Sequence, residues 1–545
     1  MIHVAFSVVS LLAQVTPAPS PSVTPLSSPS AAPITAPVSP APSPSPSALP
    51  SPAASLTLSP PQVNLHPSQS QIISVANAAG PIAVTASAPL VSTTVDQAAR
   101  TVTVAASTQT GSTVLTISSA SGSARVPVRV ALDAATVPPS IDLRVSGDQI
   151  DAPWLLTQIQ NAVRAAVAAQ PGAGPLQLGE IAPPTPFNTG AVASVTVPVR
   201  VAGGAQYFDV NGTTSINLQN LAVQAFAPPV LFYDDDPEKL VANGVLFRNE
   251  VTPAAAARLY YYHQNTLAPR QLAVVLRASS PARVQLIDAS AGPNPDVMTV
   301  GHNVSRDFLV RKPRNQGVVV DLAAGAPYVA EQFSMNPVDG AAGSIGIQVL
   351  SGGPVQIATM ALASTDAAQL NAYFDQPRLP GDGHARTGVF NLTGYGGEVL
   401  AYTAGGPDAV TQYGASSPPP AQPGSGHDYG DYGVIRTITF DLANSSPQPA
   451  TVYLYERPMG GSVRSSFLVD GTLVQLGCAR VPQRYQIGTP FSLPPGSNSR
   501  LVVQTMTDGG SSYPLEVGIT SSPPLPQTPP ITAPDGCFPK PAPTP

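Results

Sequence analysis

The chain has 545 residues, 43% of them hydrophobic and only 10% charged, with a formal net charge of -6. That length accommodates several independent cores, and the apolar fraction excludes disorder throughout. Apart from Lys239, Lys312 and Lys540 the basic residues are arginines. They form no cluster able to neutralise a row of phosphates or to dock on an anionic leaflet, so nucleic acid is excluded as a partner.

Residues 1–14 carry an apolar core from Val4 to Leu12, followed by Ala13 where a signal peptidase could cut. They read as an export signal, although His3 stands where Lys or Arg is usual. The segment falls short of the about 20 apolar residues that span a bilayer. Pro, Gly or a charge interrupts every later apolar stretch, so no membrane insertion is expected beyond this signal. Residues 15–54 are almost all Pro, Ser, Ala, Thr and Val. Proline at every second or third position removes backbone donors and favours extended geometry, which predicts a disordered linker acting as a semi-rigid spacer. Fully extended it would reach about 120 Å, at about 3.1 Å per residue. A flexible leader with no reach function is the alternative.

From 55 to 134 short runs of period two are broken by Gly, Pro, Asn and Ser, the spacing of a β-sandwich. Val63 and Leu65, then Ile72, Ile73 and Val75, then Val102 and Val104, then Val114, Leu115 and Ile117, then Val126, Val128 and Val130 supply the inward faces. The opening LTLSP, the turn from Asn77 to Gly80, TVDQAARTVTVAA ahead of Gly111-Ser112-Thr113, and the closing VPVRV carry a resemblance. Over residues 55–131 the chain resembles a bacterial immunoglobulin-like domain of the BIG type. The resemblance implies a sandwich fold and leaves the ligand open, since such domains serve in adhesins, as spacers in surface enzymes and in cell-wall proteins.

Residues 137–228 read as a small α+β module. Leu155, Ile159, Val163, Ala166 and Val167 follow a helical period, with Asp151 as N-cap, Pro153 in the first turn and Pro171-Gly172 as the stop. Trp154, the one tryptophan, is expected in the core. Two further β-sandwiches are expected at 229–365 and 385–521, where a long strand, an Ala/Ser/Pro turn, a strand ending in Gly and an apolar hairpin recur in the same order. Gly405 to Gly430 reads as a long exposed loop and a candidate contact surface. A Pro-rich tail occupies 522–545. The expected fold is therefore mainly β and multi-domain.

The sequence contains no His-Glu-x-x-His, Gly-x-Ser-x-Gly, Walker, Cys-x-x-Cys or Gly-x-Gly-x-x-Gly arrangement. No two of the six histidines stand three or four residues apart. Asp234, Asp235 and Asp236, with Glu238 close by, form the densest acidic cluster and could offer oxygen ligands to calcium. The competing reading is a solvated linker in which Pro237 starts a turn. In the run from Arg258 to Asn265, alternation places Tyr260, Tyr262 and Gln264 on one face, where an exposed tyrosine pair could stack on sugar rings. Aromatic strands are also ordinary sheet material. Tyr429, Tyr432, Tyr453, Tyr455 and Tyr513 offer similar surfaces further on. Asp382, His384 and Arg386, and His427 with Asp428, would suit a hydrolase but come with no nucleophile. Cys478 and Cys537 are the only cysteines. They suit one disulfide in an exported protein, worth about 4 kcal/mol in the chain-entropy model, with two free thiols as the alternative.

These observations lead to an expectation of an exported, non-catalytic protein of the cell surface, periplasm or extracellular space, engaged in adhesion or scaffolding. Its expected partners are envelope polysaccharide or a surface protein, with no cofactor other than calcium at the aspartates. The alternative is a carbohydrate-binding accessory part of an extracellular carbohydrate-active enzyme, or such an enzyme itself.

Overall fold

A computed structural model describes residues 55–266, 268–363, 367–530 and 537. The expected signal, the linker and most of the tail lie outside these residues. Among the described residues the chain is mainly β, with three helices: α1 (Ala152–Ala166), α2 (Val297–Arg311) and α3 (Ala367–Phe374).

The first unit is a sandwich of two four-stranded sheets. One has the order Thr57–Ser59, Ser70–Ala76, Thr101–Ala106, Val91–Asp96; the other runs Val63–Leu65, Gly122–Val130, Gly111–Ser119, Ala83–Ala86. Alternation sends Ile73, Val75, Leu115 and Ile117 into the core. In the doublets Ile72-Ile73 and Val114-Leu115 only one side chain can face inward, so Ile72 and Val114 are exposed.

Helix α1 begins where expected. Asp151 caps it by accepting from Trp154 N at 3.0 Å, and a proline occupies the first turn. It ends at Ala166, short of Pro171, because Ala168–Ala169 pairs as a strand with Ala135–Thr136. Leu155, Ile159 and Val163 pack on the strands Ser140–Ser146, Val192–Val201 and Val210–Leu221.

That sheet does not end with the α+β module. Ser140–Ser146 also pairs with Gly317–Leu322, and the sheet continues through Ala282–Asn294, Gly340–Gly352, Ala256–Asn265 and Val230–Asp234 to Thr387–Asn391, eleven strands in all. The division expected at residue 228/229 is thus crossed by one continuous sheet. Thr387–Asn391, expected in the last sandwich, is the edge strand of this one. A four-stranded sheet (Gly244–Val251, Val355–Leu362, Arg270–Ala278, Pro327–Met335) faces the later part of the large sheet over a core that includes Leu259, Tyr261, Leu286 and Ile345. Leu370 and Phe374 of α3 pack on the outer side of the four-stranded sheet.

The last sandwich pairs a sheet of Gly397–Thr403, Ile435–Ala443, Asn498–Met506, Ser462–Val469 and Thr472–Arg480 with one built on Ala409–Tyr413, Leu515–Thr520 and Ala450–Pro458. Cys478 and Cys537 are joined in a disulfide, Cα to Cα 5.3 Å, which ties the tail to this sandwich.

Helix α2 joins the two larger bodies. Val300, Val304 and Phe308 share one cluster with Ile287 and Ala342 of the large sheet and with Leu468 and Met506 of the last sandwich. The approach is so close that a Cβ on Gly301 would lie 2.1 Å from Gly509 O. A helix interior tolerates the glycine here because nothing larger fits.

Candidate functional site

Alternation distributes the tyrosine strand as expected: Tyr260 and Tyr262 face one side and Leu259 and Tyr261 the other. Exposure is where the expectation fails. Tyr260 and Tyr262 are buried, so neither offers a ring to a sugar. Their face is covered by α2 and by the segment after Gly414. Tyr432 from that segment stacks on Tyr233 and Tyr260, with centroids 6.4 and 5.9 Å apart. Gly433, at φ +74°, lies so close that a Cβ would meet Tyr260 Cβ at 2.6 Å. Gln264, at the strand's end, donates to Val338 O at 3.2 Å. The expected stacking platform is therefore an aromatic seam between two sandwiches. Ring contacts of this kind add about 0.5–1.5 kcal/mol each beyond area burial.

The acidic cluster is neither a solvated linker nor a calcium cage. Asp234, Asp235 and Asp236 are all buried, and their carboxyls diverge to separate partners. Asp234 Oδ2 meets His263 Nε2 at 3.1 Å and accepts from the Thr359 hydroxyl. Asp235 Oδ2 accepts from Tyr233 OH at 3.2 Å and lies 3.5 Å from Arg386 Nε. Asp236 Oδ1 accepts from Asp382 N at 2.6 Å. Only Asp234 belongs to the strand Val230–Asp234; Asp235 and Asp236 lie in the turn that leads to Lys239–Leu240, and the chain direction changes between the three carboxyls. Among the described residues no group of three His, Cys, Asp or Glu side chains is arranged to hold a metal.

His263 and Asp234 do not make a catalytic pair. His263 Nδ1 faces Pro237 O at 2.9 Å while Nε2 faces Asp234, so both ring nitrogens are committed. Thr359 bonds the carboxylate and not the imidazole, leaving no activated nucleophile. Burial opposes a charge on His263, but Asp234 and the Pro237 carbonyl outweigh it and hold its pKa above the ordinary value. This is a buried histidine–carboxylate contact within the fold. Asp382 is taken up with His384 N at 3.0 Å and His384 Nδ1 at 2.8 Å, and Arg386 with Glu238. The stretch from Gly405 to Gly430 is partly anchored: it contains the strand Ala409–Tyr413, and Asp428 is buried. Tyr429 remains exposed, stacked on His427 at 4.8 Å.

A different place has the geometry of a binding site. Helix α1 and the strand Pro327–Met335 both lie over the same face of the large sheet, with Val318 packing against both cores. A groove of about 950 Å3 opens there. It exists because Ser140–Ser146 and Gly317–Leu322 pair only over Arg144–Ser146 and Gly317–Val319. Beyond that point the Arg144–Asp321 ion pair, 2.5 Å, links the strands. Leu143, Leu286, Val318 and Val320 give the groove an apolar floor, and Gln158, Asn161 and Gln332 stand along its walls.

Asp288 and Glu331 contribute carboxyls to this groove from opposing strands. Burial first, and then the neighbouring Asp288, push the Glu331 carboxyl up to about 8; Tyr261, which donates to it, Ser290 and Arg311 act the other way. Burial also raises Asp288, against the pull of Arg311. Glu331 Oε1 and Asp288 Oδ1 are buried without a hydrogen-bond partner. Buried polar atoms are ordinarily satisfied, so two unpaired acceptors in one groove mark a place where donors are wanted. Asp288 and Glu331, each the single acidic residue of its strand, Ala282–Asn294 and Pro327–Met335, are the one trace of this site in the sequence.

No protein-family model matches the chain, and no curated protein matches it. Among solved structures, domains 5–6 of the S-layer protein SbsC are similar to it at 13% identity, covering 31% of this chain and 98% of that one, with a TM-score of 0.13. The Yersinia pseudotuberculosis adhesin InvE is similar at 13% identity over 33% of this chain and 68% of that one, TM-score 0.13. The M60 catalytic domain with two CBM51 domains from Clostridium perfringens ZmpB is similar at 9% identity over 85% and 52%, TM-score 0.14. TM-scores of this size support no transfer of function from those proteins to this chain.

Proposed function

We propose that the chain is an exported protein of the cell surface or periplasm that acts by binding, in adhesion or scaffolding, through its tandem β-sandwiches. The observation that carries this reading is the disulfide between Cys478 and Cys537, a bond that persists in oxidising compartments and is rare in the cytosol. The α2 seam supports it too, because stacked sandwiches locked by a shared core suit a protein that holds its surfaces at fixed spacing. The partners are envelope polysaccharide or another surface protein. The carbohydrate-active alternative loses the Tyr260 and Tyr262 platform on which it rested. The test is retention of the labelled full chain on isolated cell envelopes. Saturable retention, removed by digesting the polysaccharide or by shaving surface proteins, supports the reading. Absence of retention, with the chain recovered from the cytoplasmic fraction, ends it.

A further inference from the structure

The groove between α1 and the strand Pro327–Met335 presents two kinds of surface to an occupant. Its floor, with Leu143, Leu286, Val318 and Val320, asks for an apolar stem. Its carboxyl groups offer one unpaired buried oxygen each, Glu331 Oε1 and Asp288 Oδ1. Glu331 is itself more than nine-tenths buried, 8% exposed. The neighbouring cations are already engaged. Arg311 donates to Asp288 O at 2.6 Å and to Asp307 Oδ2 at 3.2 Å, and Arg144 pairs with Asp321. The polar atoms left over are thus carboxyl oxygens that no side-chain cation bonds.

We infer that this groove binds an aliphatic primary ammonium, its methylenes on the floor and its charged head between Glu331 and Asp288. The chemistry favours an ammonium over a guanidinium. A guanidinium fork matches both oxygens of one carboxylate, whereas this groove offers single oxygens from two carboxyls, which suits a compact head with three donors. A neutral ligand would supply no counter-charge and would leave the Glu331 carboxyl in the protonated form that burial favours. Lysine of a partner chain and a free diamine share this chemistry. The groove's volume is several times that of a small diamine, which favours a lysine carried on a peptide.

Binding is also linked to protons. With its carboxyl pushed up to about 8 among Tyr261, Ser290, Asp288 and Arg311, Glu331 holds a proton at neutral pH. An arriving ammonium favours the ionised carboxylate and expels that proton. Affinity should therefore rise with pH up to about 8, and each binding event should release up to about one proton.

Isothermal titration calorimetry of the full chain with Nα-acetyl-lysine amide, with 1,5-diaminopentane and with its neutral N,N′-diacetyl form tests this. Expected are saturable binding of the amines, none of the diacetyl form, and heats that change with buffer as a released proton requires. Glu331→Gln, checked for folding by circular dichroism, should weaken amine binding about tenfold or more. Preference for the lysine amide assigns the site to a protein partner, and preference for the diamine assigns it to a small molecule. Silence of both amines up to about 10 mM, equal binding of the diacetyl form, or a neutral oligosaccharide bound equally by the Glu331→Gln protein would overturn the inference. The diacetyl comparison uses the unaltered chain, so it decides even if the variant fails to fold.

Discussion

Replacing Phe308 by alanine probes whether α2 welds the large sheet to the last sandwich. Phe308 is fully buried and lies between both bodies. The Arg258 guanidinium sits 5.0 Å from its ring centroid and donates to Gly433 O at 2.6 Å. Burial has already pushed Arg258 down to about 10, so losing the ring face costs it further. A buried Phe→Ala change costs about 3–5 kcal/mol, and a desolvated cation–π contact up to about 2 kcal/mol. These overlap, and a net loss of about 4 kcal/mol is expected. For a unit of this size that corresponds to a melting temperature lower by about 10 °C. The assay is thermal and urea unfolding followed by far-ultraviolet circular dichroism and by fluorescence of Trp154, the single tryptophan. Trp154 lies in α1, on the far part of the same continuous sheet, so its transition should move with the global one. A loss under about 1 kcal/mol, or a Trp154 midpoint that stays put while the global signal shifts, would show that α2 does not weld the two bodies.

Cys478→Ser should lower stability by about 4 kcal/mol, because the bridge closes a loop with a sequence separation of 59; unchanged melting under oxidising conditions would contradict this. Asp234→Ala strands His263 without its carboxylate in a fully buried site, and a loss of about 3 kcal/mol or more in urea titration is expected. An effect near zero would show that the His263–Asp234 contact does not stabilise the fold. Stability should also fall as pH rises. Glu331, Glu456 and Asp235 are raised to about 8, chiefly by burial. Between their unfolded values near 4 and about 8 the folded state therefore holds protons that the unfolded state has lost. Each such group removes up to about 1.4 kcal/mol per pH unit, so the melting temperature should decline from pH 5 to 8, and less steeply in Glu331→Gln. A rising or flat profile would contradict the assignment.

Much of the fold was legible because period-two alternation records which side of a strand is wet. The first sandwich reads this way, and α1 reads as a helix because its stripe of Leu155, Ile159 and Val163 has a polar opposite face. Helix α2 hides because none of its residues is fully exposed. His302 and Ser305 are buried along with Val300, Val304 and Phe308, His302 Nδ1 meeting Asp508 Oδ2 at 2.7 Å, and the polar residues blur the period. Its signals were the N-cap Asp296, which accepts from Met298 N, and the spacing of four between Val300, Val304 and Phe308. Alternation also assigned Tyr260 and Tyr262 to one face correctly, but nothing local records that a helix and the Tyr432 segment cover it. The groove was illegible for a related reason. Asp288 and Glu331 lie on different sheets and meet only when the strands around them are placed.

Export and the disulfide are tested together by alkylation trapping of Cys478 and Cys537 in fractionated cells, without reductant. The chain is expected in the envelope or extracellular fraction with both cysteines blocked until a reductant is added. A chain recovered from the cytoplasm with two alkylated thiols would contradict both.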